Sequence, residues 1–255
     1  MNPELPAVVA ATGLWLLSIE DIRSRELSEK HVAAIAAAVA AASALAAPWR
    51  ISPLPLKAYL VVNAILLLAV SLTALLGMLG WGDVAALAIM FIATPTVPNS
   101  SSVLPTLLVV LAYYIGLMLL YIAFNLVTNL ARLRELPPAS TRAKKLLYMM
   151  IARPIEAKRL ANNPGWWYPL SLCGKEKLSF NIYMNPPDVA RTVQKAIRKG
   201  CVKPGEKVWA TYGIPAIPLL AASYTLALVA GDKVITTLLG IHIAKALTQN
   251  IPQQR

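Results

Sequence analysis

Apolar residues in this chain are gathered into long blocks instead of being spaced along amphipathic periods. The stretch from Val103 to Val127 carries no charged residue at all. Runs of that length and hydrophobicity are read as membrane spans. Six are expected: Leu5 to Ile19, Val32 to Ala47, Ala58 to Leu79, Val84 to about Val97, Val103 to about Val127, and Ile214 to Ala230. Only 14% of the residues are charged and 57% are hydrophobic, whereas a soluble domain is about a quarter charged. The expected fold class is therefore an α-helical polytopic membrane protein, not a soluble globule.

The breaks between blocks have physical causes. Pro48, Pro53 and Pro55, with Arg50, end the second span, because proline removes a backbone donor and a guanidinium resists burial. Pro95, Pro98 and the polar run Asn99 to Ser102 divide the next apolar stretch into a hairpin. The start, Met1-Asn2-Pro3-Glu4, lacks the basic region that opens a cleavable signal. Leu5 to Ile19 would make a helix of about 22 Å against a hydrocarbon core of about 30 Å. Two remedies exist: the bilayer thins locally, or the helix runs on past Asp21 into a watered pocket.

The net charge of +12 is concentrated. Residues 131–208 hold 16 Lys and Arg against 5 Asp and Glu. Basic segments beside spans are retained on the cytoplasmic side, so this segment is expected there, and topology accounts for its charge without a nucleic-acid partner. Counting spans back from it puts the N-terminus outside. The same count puts the Asp21–His31 loop and the Gly80–Asp83 turn at the cytoplasmic face of the cell membrane. Lys144, Lys145, Lys158 and Arg159 are candidates to meet anionic lipid.

The chain is divided accordingly. Residues 1–130 form spans one to five, 131–210 a small basic α+β domain, 211–232 the sixth span and 233–255 an interfacial tail. Within the basic domain a helix is expected from Arg142 to Arg153, with Leu146, Leu147, Met150 and Ile151 on its apolar side. Strands are expected at Tyr168–Cys173 and Lys177–Tyr183 around Gly174-Lys175, and at Glu206–Thr211. A helix capped by Asp188 should run from Val189 to Lys199 and stop at Gly200. Trp166, Trp167 and Trp209 suit an interfacial aromatic belt. Cys173 and Cys201, the only cysteines, make no CxxC pair and are expected as free thiols in a cytoplasmic location. No metal and no other cofactor is expected.

Asp21 closes the first span and Asp83 opens the fourth, within Gly80-Trp81-Gly82-Asp83. Ionised carboxylates at a bilayer surface are costly and mark functional sites by default. Two of them at one membrane face can hydrolyse an amide if they share one proton. The ionised group then activates water, while the protonated one hydrogen-bonds the carbonyl and later protonates the amine. Gly80 and Gly82 allow a sharp turn or a close approach to Asp83.

Three stretches resemble the archaeal preflagellin and type IV prepilin-like peptidases, a family of GxGD intramembrane aspartic proteases. They are Asp21-Ile22-Arg23-Ser24-Arg25, Gly80-Trp81-Gly82-Asp83, and Tyr212-Gly213-Ile214-Pro215-Ala216-Ile217-Pro218-Leu219 leading to Gly231-Asp232. The resemblance implies that Asp21 and Asp83 are the catalytic pair. It also implies flagellin- or pilin-like precursors as substrates, with a short basic leader ending in glycine, cut at the cytoplasmic face. The family often continues with isoleucine, proline and asparagine after its basic residues, whereas Glu26-Leu27-Ser28 follows here. The cysteine-rich loop of many bacterial relatives is absent, so neither zinc nor N-methyltransferase activity is expected. Glu20, Glu26 and Glu29 surround Asp21 and are candidates to pair with leader lysines. The rival reading is a proton- or cation-coupled transporter using the same aspartates. Acids at one face, with no internal repeat, argue against it.

Overall fold

The computed structural model describes residues 4–46, 53–77, 79–96, 104–131, 141–178 and 184–238. The chain divides into two compact units, Met1–Leu117 with Pro215–Arg255, and Met118–Ile214.

The first unit is helical. It contains α1 (Leu5–Ser24), α2 (Glu29–Ala46), α3 (Pro53–Leu75), α4 (Trp81–Ala93), the opening half of α5 (Thr106–Leu130), α9 (Ala216–Ala230) and α10 (Lys233–Leu238). On α1 the buried residues Ala7, Ala10, Leu14, Leu17, Ser18 and Asp21 recur at helical spacing and form one face. That face packs against α2, α4 and α9. Small side chains suit such a seam, because lipid offers no hydrophobic drive and close backbone approach supplies the attraction. Other apolar side chains point outward, as at Ile65, Leu68, Leu72 and Ile115.

Four helices are long and apolar enough to cross a membrane: α1, α2, Lys57–Leu75 of α3, and α5. The helices α4 and α9 are apolar but span only 13 and 15 residues. Among the described residues, four of the six expected spans are thus helices long enough to cross. Pro95 lies just beyond the end of α4, and Pro215 and Gly231 bound α9, which fixes both short. Of the two remedies for the short first span, the helix does continue past Asp21, to Ser24.

The second unit adds α6 (Arg142–Ile151), β1 (Ala152–Glu156), α7 (Ala157–Asn162), β2 (Trp167–Pro169), β3 (Ser171–Leu172), β4 (Lys175–Glu176), α8 (Pro186–Arg198) and β5 (Lys207–Tyr212). An antiparallel sheet has the order β1-β5-β2, with Ala152 opposite Thr211 and Trp167 opposite Tyr212. Leu160, Val189, Val193, Val208 and Ala210 form its core.

Several expectations are corrected here. The α6 helix stops at Ile151, and Arg153 lies on β1 instead, where its Nε donates to Asn125 Oδ1 at 2.8 Å. Neither β1 nor α7 was foreseen. The stretch Tyr168–Cys173 is broken between two sheets; of the strand expected at Lys177–Tyr183, Lys177 and Leu178 follow β4 outside any strand, and residues 179–183 lie outside the described set. Asn185, not Asp188, precedes α8, which opens on Pro186 and Pro187, where absent N–H groups cost nothing. Trp209 is 3% exposed, held edge-on to Tyr148 in a core of this unit, so it is not a belt residue. The cysteines are not free: Cys173 and Cys201 form a disulfide. The β3–β4 hairpin turns through Cys173 and Gly174, both at positive φ (51° and 71°). That two-residue turn presents Cys173 to the segment just after α8. Of the expected tail, α10 is described and residues 239–255 lie outside the described set.

Candidate active site

Three helix termini of the first unit converge. Asp21 lies in the last turn of α1, Asp83 in the first turn of α4, and Ile217 in the first turn of α9. Each is held by local chemistry. The α1 helix ends where Arg25 adopts a left-handed conformation (φ 61°) and its N–H donates to Asp21 O at 3.2 Å. That reversal sends the chain into α2 within four residues.

Asp83 occupies the third position of α4, and its Oδ2 accepts the Gly80 N–H at 3.2 Å. The carboxylate thus serves as a cap at the positive end of its own helix. Asp21, only 9% exposed, accepts the Ile217 N–H on Oδ2 at 3.0 Å. That amide is one of the first four of α9 and has no partner within its helix. Pro215 and Pro218 explain the arrangement: proline suits the entry to a helix, and neither ring has an N–H to offer.

The two carboxylates lie within electrostatic reach of one another. Tyr114 of α5 is within reach of both. Asp21 and Asp83, far apart in sequence, thus feel one another's charge, and Asp21 has a backbone amide beside it. Neither Ile217 nor Tyr114 was anticipated. The signals were a proline pair that frees helix amides and a hydroxyl-bearing ring inside an uncharged run.

The other candidates fall around the α1–α2 turn. Glu20 is engaged: its Oε2 accepts the Ser28 N–H at 3.1 Å, and its Oε1 meets His31 Nδ1. Glu26 and Glu29 are exposed, and Glu29 opens α2. Of the two roles expected for Gly80 and Gly82, the backbone bears on the sharp turn alone. Neither has positive φ, so no sharp turn depends on them. A Cβ on Gly82 would stand 2.7 Å from Leu27 Cδ1, so this glycine admits a neighbouring side chain.

Asp232, fully buried, is remote from the pair. It follows the end of α9 farthest from Ile217, about 20 Å along a helix of that length. Tyr113 Oη donates to Gly231 O beside it at 3.0 Å.

Residues 144–233 match the family described as Archaeal Peptidase A24 C-terminus Type II. The matched segment runs from α6 to the start of α10 and includes Ile217, whose amide meets Asp21. No curated protein matches the chain.

Proposed function

With the match over residues 144–233 supporting assignment of the chain to the preflagellin and prepilin peptidase family, we propose that it is a membrane-embedded aspartic endopeptidase. In this reading it removes short basic leaders from flagellin- or pilin-like precursors. The observation that carries the reading is the convergence of Asp21 and Asp83 from opposite ends of two helices into electrostatic reach.

The pair shares one proton. The ionised carboxylate takes a proton from water, and the water oxygen attacks the scissile carbonyl carbon. The protonated carboxyl hydrogen-bonds the carbonyl oxygen. When the C–N bond breaks, a carboxyl proton goes to the leaving nitrogen, and the products are the leader's carboxylate and a free amine. The Ile217 N–H holds Asp21 in one rotamer, and the Gly80 N–H does the same for Asp83. The pair titrates as one system, so acid and base are not assigned singly.

The chain is a multi-pass protein of the cell membrane, with its N-terminus outside and the basic segment in the cytoplasm. Paired cysteines are found mainly in oxidising compartments, so the Cys173–Cys201 bond pulls the other way. The excess of basic residues in 131–208 outweighs it, because that excess decides orientation during insertion. Leader lysines fall to Glu26 and Glu29, since Glu20 is taken up by Ser28 and His31.

The test is co-expression with a precursor carrying a lysine-rich leader, read by mass. Wild-type protein shortens the precursor. Asp21→Asn and Asp83→Asn each reduce cleavage on the order of a thousandfold or more while still inserting. Cleavage that survives either change ends the reading, and a transporter would give no mass shift at all.

A further inference from the structure

The turn between α1 and α2 is Arg25-Glu26-Leu27-Ser28, and Leu27 is its only large apolar residue. The turn is stiff. Arg25 reverses the chain, and Glu20 ties down both Ser28 and His31 from the preceding helix. Leu27 is partly buried and packs against the apolar core of the first unit. Its Cδ1 and Cγ lie 2.7 and 3.4 Å from where a Cβ on Gly82 would stand. Gly82 is helical without positive φ, so its backbone would accept any L-residue. Only the far end of the Leu27 side chain crowds a larger residue there.

Leu27 is six residues beyond Asp21, and Gly82 immediately precedes Asp83. The contact thus joins the turn that follows one carboxylate to the turn that carries the other. We propose that Leu27 is a positioning residue: seated in the notch of Gly82, it sets the separation of Asp21 and Asp83. The inference rests on the peptidase reading above. A proton shared between two carboxylates depends steeply on their spacing, and misplacement of about 1 Å costs catalysis on the order of a hundredfold. A methyl at position 82 would push the Leu27 Cδ1 out of the notch, so that the turn loses its seat against the start of α4. A shortened residue 27 would leave the turn without its stop.

The experiment is a double-mutant cycle of Gly82→Ala and Leu27→Ala. It is read as kcat and KM on a synthetic peptide with a lysine-rich leader ending in glycine before an apolar helix. The melting temperature in detergent is followed alongside. We expect Gly82→Ala to lower kcat by about tenfold to a hundredfold with KM nearly unchanged. Leu27→Ala should lower it less. The double variant should exceed Gly82→Ala by about tenfold, because the added methyl then has room.

Should Gly82→Ala fail to fold, the series Leu27→Met, Leu27→Val and Leu27→Ala decides. A stepwise fall in kcat at constant KM supports the role, whereas a change in melting temperature with kcat intact overturns it. Multiplicative effects of the two substitutions, in a wild-type chain that cleaves the peptide, overturn the positioning role alone. A wild-type chain that cleaves nothing overturns the peptidase reading and this role with it.

Discussion

Asn63 illustrates what one polar side chain does inside an apolar bundle. It is fully buried on α3, donates Nδ2–H to Pro95 O at 2.9 Å and accepts the Leu107 N–H at 3.1 Å. The Pro95 carbonyl lies outside any helix, with the Thr106 N–H at 3.5 Å as its other donor, and Leu107 sits in the first turn of α5, so its N–H has no partner within the helix. Asn63→Ala should therefore cost about 1–3 kcal/mol, seen as a lower melting temperature in detergent, while Asn63→Gln recovers part of it. Asn129 plays the same part in the second unit, donating at 2.7 Å to both Met149 O and Ala152 O where α6 gives way to β1. Both asparagines are visible in the sequence as lone amides within apolar runs. Their partners are not, because those are backbone atoms of other elements.

At the level of elements, α9 matters to the site through its first turn. Ile217→Pro deletes the single N–H that Asp21 accepts, and proline is tolerated there, as Pro186-Pro187 at the start of α8 illustrates. A hydrogen bond to a charged group is worth about 1.5–3 kcal/mol. Ile217→Pro should thus lower kcat by about tenfold to a hundredfold, while Ile217→Val, which keeps the amide, stays near wild type. Single-turnover cleavage of the leader peptide checks both.

The β3–β4 hairpin gives a second prediction at this scale. The Cys173–Cys201 bond closes a loop with a sequence separation of 28 residues. By loop entropy, Cys201→Ser should destabilise the second unit by about 3–4 kcal/mol, measured by denaturant unfolding with and without reductant. The hairpin was readable from Gly174. The cysteine pairing was not, because spacing says nothing about which turn faces which helix end.

For the whole molecule the testable matter is sidedness. If both aspartates serve one site, the turns at Lys30 and Leu76 open to the same compartment, and Lys57 opens to the other. In a chain whose own cysteines are paired, Lys30→Cys and Leu76→Cys should react with an impermeant thiol reagent only once the cytoplasmic side is exposed. Lys57→Cys should react from outside intact cells. Labelling of the first two from opposite sides would separate the aspartates and end the catalytic proposal.

Apolar blocks and proline breaks made the long apolar helices and their order legible without coordinates, and marked the two acids as candidates, because each is a property of the local chain in lipid or water. Helix length was less so: α1 runs past its apolar block and Asp21 to Ser24, and α4 and α9 stay short. What only tertiary structure decided was the company those acids keep. The Ile217 amide of α9 meets Asp21, Tyr114 of α5 feels both charges, and Leu27 of the α1–α2 turn meets Gly82. Contacts across such distances in sequence follow from how helices pack, and no window of residues encodes them.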